Sequence, residues 1–525
     1  QEGSQQGDPL GPAMFCSTIQ PLLLSLASEL KEAYMDDLTL GGPEAQVARD
    51  VETVRRKGEA IGLRLNDKKC EFISGTAQSS DPAFRHFVHL AVDSAELLGA
   101  PLTTGPAMDR ALGRRCDDLS RAASRLRLVA AHNALILLRV SFSPLQLLHT
   151  LRSSPCSGHP ALGTFDGLLR GCVCAITNTD LTDIQWTQAS LPVRNGGLGI
   201  RRVSSLAPSA FLASAAGTHD IQAKILLRCH APVDSAVDRV LAQWTSEHSQ
   251  TGAMPPVGVN AGKQRQWDGP CISADVAKLM ISLTDRQHQA RLLALSAPHS
   301  GDWLNALPIS SCGLRLDDEA IRVAVGLRLG AKLCEPHRCL CGADVDPEGT
   351  HGLACRRSAG RTTRHHALND LVWRALSRAG IPSIKEPAGL LRSDGKRPDG
   401  LTQIPWQGGR CMTWDVTVAD TLASSYLAAT STAAAAAAEG AASRKEIKYQ
   451  VLASSHSFIP LAFETLGPIN SKGITFFSEL GRRLAAQSGD KRETAFLFQR
   501  LSVTIQRFNA ICFHGSLPEQ ANTDF

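Results

Sequence analysis

Two adjacent aspartates near the start of the chain have the spacing of a metal-binding pair. Asp36 and Asp37 end the run Tyr-Met-Asp-Asp at residues 34–37, and the turn-forming residues Gly41 and Gly42 follow shortly after. We predict a short hairpin that places both acids at its tip, where carboxylate oxygens bind Mg²⁺. Magnesium held in this way aligns a 3′-hydroxyl with the α-phosphate of a nucleotide.

Asp399 and Asp415 form a second pair of acids. Residues 410–418 alternate between apolar and polar side chains, which predicts a half-buried strand with Asp415 on its polar face. If residues 405–409 form a five-residue hairpin loop, the register is centred on Gln407 and Asp399 lies directly opposite Asp415. Because cross-strand neighbours have Cβ atoms about 5 Å apart, we predict that the two carboxylates share one Mg²⁺.

Two lysines follow this strand on an alanine-rich helix that we expect to end near Tyr449. Lys445 and Lys448 lie three residues apart on one side of that helix. A lysine directed at the acid pair would stabilise a pentavalent phosphate or orient the attacking water. The alternative is an ordinary solvated lysine, which is the stronger interpretation for either residue taken alone. The alanine run at 433–438 favours a helix and is assigned no function.

A compact group of soft ligands predicts a structural zinc site. Four of them form the pattern C-x-C-x₉-H-x₃-C: Cys339, Cys341, His351 and Cys355. Three thiolates and an imidazole suit tetrahedral Zn²⁺, and four protein ligands leave no open position for chemistry. Cys334 and His337 compete as ligands, and the alternative is a set of buried thiols.

Composition places the chain among ordinary globular proteins. Its 525 residues allow for about three domains, and 43% are hydrophobic and 20% charged. The net charge of +5 permits nucleic-acid binding without requiring it, and the odd count of 15 cysteines argues against a disulfide framework. The longest apolar stretch is interrupted by Arg139, so we expect no membrane span.

A helix that begins near Met108 carries a stripe of arginines. Leucines recur every seven residues on its apolar side, at Leu112, Leu119 and Leu126. The arginines occupy the opposite side, at Arg110, Arg114, Arg121 and Arg125. Such a stripe could follow a phosphate backbone. The preferred interpretation is a solvated face, because Asp117 and Asp118 lie at salt-bridging spacing among the arginines.

The first hundred residues resemble the palm of a reverse transcriptase from a non-LTR (LINE-like) retrotransposon. The resemblance rests on the run QGDPLGP at residues 6–12, the Asp-Asp pair and the run GLRLNDKKCE at residues 62–71. It implies metal binding by Asp36 and Asp37. It also implies that Gln6, Gly7 and Asp8 belong to a template and nucleotide loop. One of two lysines, Lys68 or Lys69, would lie near the incoming triphosphate. Leu98-Gly99 resembles the primer-grip turn, and residues 191–199 resemble a segment beyond the thumb.

The chain departs from the family in one respect. The first metal-binding aspartate of these polymerases lies on a strand upstream of QGDPLGP, and this sequence begins after that point. We therefore expect a fragment of a larger protein whose polymerase part is incomplete, and no polymerase activity from this chain alone.

The C-terminal part resembles the restriction-like endonuclease, of the PD-(D/E)xK fold, found in site-specific non-LTR retrotransposons. In that pattern Asp399 is the acid of "PD" and Asp415 the second acid, while Thr417 stands where the simplest motif has its lysine. The family often places this lysine on the next helix, which implies Lys448 first and Lys445 second. A preceding helix contributes in the fold, and His366 and Asp370 are supporting candidates there. The Cys/His cluster resembles the zinc knuckle that precedes this nuclease.

Together these features predict a multidomain α+β protein. The expected parts are a reverse transcriptase palm remnant, a helical thumb-like region, a linker region, a zinc knuckle and an α/β restriction-like endonuclease domain, at residues 1–105, 106–232, 233–330, 331–360 and 361–515. The resemblance implies target-primed reverse transcription with Mg²⁺ and Zn²⁺, a DNA target, the element RNA as partner, and a nuclear location. The alternative is a nucleic-acid-binding relic without catalysis.

Overall fold

The computed structural model describes residues 7–75, 79–225, 235–249, 252–391 and 395–518. Gln6, predicted in the template loop, lies outside the described residues. The chain forms two compact units, the first from Gln1–Arg115, Leu147–Ala161 and Ser204–Pro270, and the second from Cys116–Gln146, Leu162–Val203 and Cys271–Phe525. The mixture of helices and small sheets confirms the expected α+β class.

The helices have the following bounds: α1 Gly11–Leu24, α2 Glu44–Ala60, α3 Pro106–Leu126, α4 Ala131–Val140, α5 Leu148–Ser153, α6 Pro160–Thr177, α7 Asp183–Ala189, α8 Val203–Ile225, α9 Ser235–His248, α10 Gln264–Ser282, α11 Arg286–Leu295, α12 Asp318–Leu329, α13 His351–Ala354, α14 Ala359–Arg378, α15 Ser424–Thr430, α16 Ala436–Lys448, α17 Ser471–Ser488 and α18 Glu493–His514. The strands are β1 Leu30–Tyr34, β2 Asp37–Gly41, β3 Glu71–Ile73, β4 Val88–Leu90, β5 Glu96–Leu97, β6 Ala100–Pro101, β7 His337–Arg338, β8 Asp344–Val345, β9 Ser383–Lys385, β10 Gly400–Gln407, β11 Arg410–Ala419 and β12 Ser457–Glu464.

The predicted Asp-Asp hairpin is present in the first unit. Strands β1 and β2 pair antiparallel, with Tyr34 opposite Asp37, and form a two-stranded sheet. Helix α2 fixes the entry to this hairpin through its buried Asp50, whose carboxylate accepts hydrogen bonds from the Ala27 and Ser28 amides at 2.8 and 2.6 Å. These bonds hold the residues that lead into β1.

A four-stranded sheet in the order β12-β11-β10-β9 forms the centre of the second unit's C-terminal half. Strand β11 runs antiparallel to β10 and parallel to β12, and α16 lies in the crossover between β11 and β12. The apolar side chains Met412, Trp414 and Val416 pack with residues from α14, α17 and α18 in one buried core. This core holds β11 against three helices.

The opposite face of β11 is also buried, so the prediction of a half-buried strand is wrong. Thr413 and Asp415 are 0% and 3% exposed. Helix α16 covers this side, where its alanines pack against Ala419 of β11 and Ala462 of β12. The alanine run therefore has a structural role, because side chains of one carbon let the helix approach the sheet closely.

Residues 233–330, predicted as a linker region, contain helices α9 to α12. Several of their apolar side chains are buried; Trp244 of α9 and Trp267 of α10, for example, are 0% and 3% exposed. The segment around Pro255 has no regular structure, as expected for a joint between helices. The segment is thus largely helical, and its assignment as a linker region stays a prediction.

One stretch, Ala131–Ser153, is long and apolar enough to cross a membrane, judged by length and composition alone. Of its most apolar 18-residue part, 44% is buried inside the protein. It comprises α4 and α5, which are separated by a short 3₁₀ turn at Pro144–Gln146. The expectation that no segment spans a membrane stays a prediction.

Candidate functional site

The turn that connects β10 to β11 differs from the predicted five-residue loop. Strand β10 continues to Gln407, which pairs with Arg410, so the turn consists of Gly408 and Gly409 alone. Both glycines have positive φ, 58° and 73°, a backbone conformation that residues other than glycine rarely adopt. The five-residue loop is wrong because the chain uses this tighter two-glycine turn.

The predicted register at the acids is nevertheless confirmed. Two irregularities interrupt the ladder on either side of Pro405, which has no N–H to donate, and the Thr402 hydroxyl accepts a hydrogen bond from the Met412 amide instead. Beyond them Gly400 lies opposite Trp414. Extending this register by one residue places Asp399 opposite Asp415, on the face of the sheet that α16 covers.

Asp399 is held by groups from two elements. Its Oδ2 accepts hydrogen bonds from the Val416 amide at 2.6 Å and pairs with His365 Nε2 of α14 at 3.0 Å. Asn369, one turn further along α14, accepts a bond from Trp414 Nε1 at 2.8 Å and donates to the Asp399 carbonyl at 3.4 Å. With Oδ2 engaged twice, Oδ1 is the oxygen that remains for a cation.

Asp415 is buried beside a lysine. Lys445 Nζ of α16 lies 2.5 Å from Asp415 Oδ1, and the Asp415 side chain is only 4% exposed. Burial raises the pKa of the Asp415 carboxyl, and the negative charge of Asp399 raises it further, while Lys445 and Tyr449 lower it in part. Two carboxylates of the same sign in a buried setting are stabilised by a cation between them.

The structure reverses the order expected for the two lysines. Lys445, the second choice, forms the ion pair with Asp415, whereas Lys448 Nζ donates to the Tyr449 hydroxyl at 2.8 Å. That hydroxyl in turn donates to the Arg397 carbonyl at 2.8 Å. The rotation of α16 about its axis decides this order, and spacing in the sequence does not reveal it.

The supporting candidates on α14 also require correction. His366 is exposed, and Asp370 pairs with Lys385 at 2.8 Å, so neither approaches the acid pair. The histidine at the site is the preceding residue, His365, which sequence reasoning missed. The hydrogen bond to Asp399 raises the pKa of His365. One signal existed in the sequence, since His365 and Asn369 lie four residues apart on one helical face.

The Cys/His cluster comes together as predicted. The ligand atoms of the four residues lie within 4.8 Å of one another: Cys339, Cys341, His351 and Cys355. Cys339 Sγ lies 3.7 Å from Cys355 Sγ, close to the spacing of about 3.8 Å that two sulfurs have on tetrahedral zinc. The donor set and its spacing therefore fit Zn²⁺. A hydrogen bond at the Ala343 amide lowers the pKa of the Cys341 thiol to about 7.

The two competing ligands have other partners. Cys334 Sγ donates to the Asp346 carbonyl at 3.4 Å. His337 uses both ring nitrogens on main-chain carbonyls, those of Glu335 at 2.9 Å and Ser516 at 2.8 Å. The cluster of four is thus the ligand set that the geometry supports.

At the other end of the chain, both acids of the Asp-Asp pair are exposed at the hairpin tip. Asp36 lies in the turn and Asp37 begins β2, and the turn residue Met35 has a positive φ of 58°. This is the arrangement predicted from the sequence. The described part of the first unit pairs this hairpin with no third strand.

Comparison with known proteins relates these features to a family. Residues 1–102 match the family described as reverse transcriptase (RNA-dependent DNA polymerase). The chain is also 24% identical over 406 residues to the retrotransposable element SLACS 132 kDa protein of Trypanosoma brucei gambiense. Residues 1–102 are thus similar to reverse transcriptases, and a longer part of the chain is similar to a retrotransposable element protein. That alignment covers 76% of this chain and 30% of the relative, so the chain spans less than a third of the relative's length.

The resemblance to a retrotransposon reverse transcriptase is thereby confirmed. The matched region, residues 1–102, contains the hairpin, Gly7 and Asp8. The Asp8 side chain accepts a hydrogen bond from the Leu10 amide at 2.9 Å next to the start of α1. The 406 aligned residues extend well beyond this region, but they assign no activity to the second unit.

Other residues of the reverse transcriptase region lie on its surface. Lys68 and Lys69 are exposed in a 3₁₀ turn, whose first residue, Asp67, accepts from Arg55 at 2.9 Å. Leu98 and Gly99 form the two-residue turn between β5 and β6, with φ of 49° and 77°. The predicted turn is present, and its role in gripping a primer stays a prediction.

Two segments beyond this region have structural roles. The loop at 191–199 is clamped by the buried Arg328, which donates to the Gly197 carbonyl at 3.0 Å and the Val193 carbonyl at 2.8 Å. In the arginine stripe of α3, Arg114 pairs with Glu96 at 3.0 Å and Arg121 pairs with Asp118. These ion pairs favour the solvated face over a phosphate-binding stripe.

Proposed function

We propose that the second unit cleaves one strand of DNA with Mg²⁺ bound between Asp399 and Asp415. The observation that carries the proposal is the meeting of these acids with Lys445, which comes from a helix thirty residues further along the chain. The order of elements supports it, since α14 is followed by the three strands β9 to β11, then by the two helices α15 and α16, and then by β12. This pattern resembles the PD-(D/E)xK fold.

The roles of the residues follow from their contacts. A cation at the two carboxylates would supply Lewis-acid activation of water and neutralise phosphate charge. His365 and the Val416 amide hold Asp399 Oδ2, which fixes the direction of the free Oδ1. A cation at Asp415 would also satisfy the carboxylate that Lys445 now pairs with. The ammonium group is then available to stabilise the charge of the pentavalent phosphate.

The Cys/His cluster would bind one Zn²⁺ as a structural site. Its four ligands come from a single stretch of the second unit; α13 begins at the ligand His351, and α14 begins shortly after the ligand Cys355. The cluster thus stands next to the helix that carries His365. Zinc there would stabilise the start of α14 rather than take part in chemistry.

For residues 1–102 we propose a part in RNA-directed DNA synthesis, with Asp36 and Asp37 as metal ligands. The match to the reverse transcriptase family supports this role. A nick in DNA exposes a 3′ end, so cleavage and synthesis in one protein would serve target-primed reverse transcription. Primer extension by the purified chain with template, nucleotides and Mg²⁺ tests the polymerase part. We expect that this chain alone extends no primer. Robust extension would overturn that expectation.

A plasmid assay tests the nuclease directly. We expect the 525-residue chain to convert supercoiled plasmid to the open circle with Mg²⁺, and Asp399→Ala to abolish this conversion while leaving plasmid binding intact. The alternative function is nucleic-acid binding without cutting. It is favoured if wild type and Asp399→Ala both retard the plasmid in a gel and both leave it supercoiled.

A further inference from the structure

Two arginines stand between the Cys/His cluster and the acid pair. Arg357 lies just before α14 and Arg361 in its first turns, and both are exposed. Arg357 Nη1 donates to the Leu340 carbonyl at 2.9 Å, and Arg361 Nη1 donates to the Ala354 carbonyl at 3.0 Å. Leu340 separates two cluster cysteines and Ala354 precedes a third, so both guanidinium groups lie beside the cluster.

Main-chain oxygens orient these guanidinium groups, and the buried Asp420 carboxyl attracts Arg361 over a longer distance. Within the described parts of the chain, neither forms an ion pair with a carboxylate, and their hydrogen bonds go to main-chain oxygens. Two other exposed arginines of this unit are paired with carboxylates: Arg482 with Glu479 at 2.6 Å and Arg492 with Asp490 at 2.8 Å. An arginine that uses one N–H group to bind a main-chain oxygen keeps its remaining N–H groups for another acceptor.

Helix α14 connects the two arginines to the acids. Arg361 and His365 are four residues apart, which places them on the same helical face about 6 Å apart along the axis. His365 contacts Asp399 at 3.0 Å. Further along α14, Lys385 and Arg374 both pair with Asp370, so these two cations share one carboxylate. Arg357 and Arg361 carry positive charge at the end of α14 that lies toward the cluster.

We propose that Arg357 and Arg361 form a phosphate-binding strip for duplex DNA. The strip positions the DNA backbone so that one strand reaches Asp399 and Asp415, where it is cut. The inference rests on the proposed nuclease function. Its chemistry is that of guanidinium groups on phosphate oxygens a few nucleotides from the scissile bond. Contacts of this kind position the duplex and carry no sequence information.

The salt dependence of DNA binding tests the strip. For the full chain with a short duplex and Mg²⁺ replaced by Ca²⁺, we expect the double variant Arg357→Gln/Arg361→Gln to bind roughly tenfold more weakly. The slope of log K against log[salt] should fall by about 2, because each arginine that no longer binds a phosphate lowers it by about one unit. The control Arg482→Gln/Arg492→Gln removes the same charge and should leave both quantities near wild type.

Two further measurements test the strip if the glutamine variant folds poorly. Arg357→Lys/Arg361→Lys retains the charges and should keep most of the salt slope. In the wild-type chain, bound duplex should protect Arg357 and Arg361, but not Arg482 and Arg492, from modification by phenylglyoxal. An unchanged slope in a folded glutamine variant, or equal modification with and without DNA, overturns the strip.

The outcomes separate the strip from the nuclease. If the wild-type chain binds DNA with the expected dependence on the arginines but leaves plasmid intact, the nuclease proposal fails and the strip stands. If it nicks DNA and the arginine variants bind as wild type does, only the strip fails. A loss of binding seen with an RNA duplex and not with DNA also overturns it.

Discussion

Gly400 lies directly against the indole ring of Trp414. A Cβ built on Gly400 would stand 2.0 Å from Trp414 Cζ2, although the φ of this glycine is not in the left-handed region. The glycine after Asp399 is therefore required by packing. It lets the Trp414 ring lie across β10 and donate its N–H to Asn369 of α14.

Gly400→Ala should displace this ring and with it the acid pair. Overpacking a buried site costs about 1–3 kcal/mol, and the clash here is with a rigid ring. We expect a lower melting temperature and loss of plasmid nicking. Gly163→Ala in α6 is the control, because its added Cβ meets no atom within 4 Å and alanine favours a helix. Equal melting temperatures for Gly400→Ala and wild type would contradict the packing argument.

Exchange of each lysine tests which one acts at the site. Lys445→Met removes the ammonium group that lies 2.5 Å from Asp415 and should lower the nicking rate by about 100-fold or more. Lys448→Met removes a hydrogen bond to Tyr449 and should cost less than about tenfold. Initial rates on supercoiled plasmid decide the order, and a larger loss for Lys448→Met would contradict it.

His365 should tune the affinity of the acid pair for Mg²⁺. Groups that orient a metal ligand typically contribute about 10–100-fold in metal affinity, so His365→Ala should raise the Mg²⁺ concentration for half-maximal nicking by that factor. The maximal rate at saturating Mg²⁺ should fall less. His366→Ala is a matched control, because the neighbouring ring is exposed and does not contact Asp399. Identical Mg²⁺ curves for both variants would refute this role.

Metal analysis tests the Cys/His cluster. We expect one Zn²⁺ per purified chain by elemental mass spectrometry, and Cys355→Ser should lose it. The loss should also lower the melting temperature, since ligand bonds in a structural zinc site contribute to folding. Cys334→Ser is the control and should retain the zinc, because Cys334 donates to a main-chain carbonyl. Retention of zinc by Cys355→Ser together with its loss from Cys334→Ser would reverse the ligand assignment.

Asp50 predicts an acid-dependent loosening of the hairpin entry. Burial raises the pKa of the Asp50 carboxyl, but the hydrogen bonds from Ser28 and Ala27 outweigh it, and the pKa lies below its ordinary value. A lowered pKa means that the stabilisation is present above the unfolded pKa of about 3.9 and is lost as the pH falls through the folded pKa.

Hydrogen exchange at the Ser28 amide measures this effect. Protection should fall below about pH 4 in the wild type and should be reduced by Asp50→Asn already at neutral pH, by about 1–3 kcal/mol of opening free energy. Glu52→Gln, on the exposed side of α2, is the control and should leave Ser28 protected. A wild-type amide with the same protection factor at about pH 3 and at neutral pH would contradict the role of Asp50.

The sequence predicted features that depend on local spacing. The four cluster ligands lie close together in the sequence, within residues 339–355, so their spacing alone indicated the site. The Asp-Asp hairpin was predicted from its turn residues. The register of Asp399 against Asp415 was predicted from a five-residue loop that the structure does not contain, and it holds because the irregularities beside Pro405 compensate for the tighter turn. For the cluster and the Asp-Asp hairpin the deciding geometry is set by residues close in sequence, whereas strand periodicity fixed only which side chains of β11 share a face.

Features that depend on how helices rotate or pack escaped prediction. One residue of helical phase, about 100°, separates His365 from His366, and sequence does not show which of them faces the sheet. The same uncertainty reversed Lys445 and Lys448. The buried second face of β11 depends on α16, whose alanines indicated a helix but not its close packing against the strand.

The irregular ladder between Gly408 and Gly400 separates the turn from the acids. Because the two interruptions beside Pro405 absorb residues without shifting the Gly400–Trp414 pair, the tip of this hairpin can gain or lose residues while Asp399 stays in place. The number of positions between the two acids is then a poor guide when homologous chains are aligned. Better reference positions for an alignment are Gly400, which makes room for the Trp414 ring, and the pair His365 and Asn369, which lie one helical turn apart.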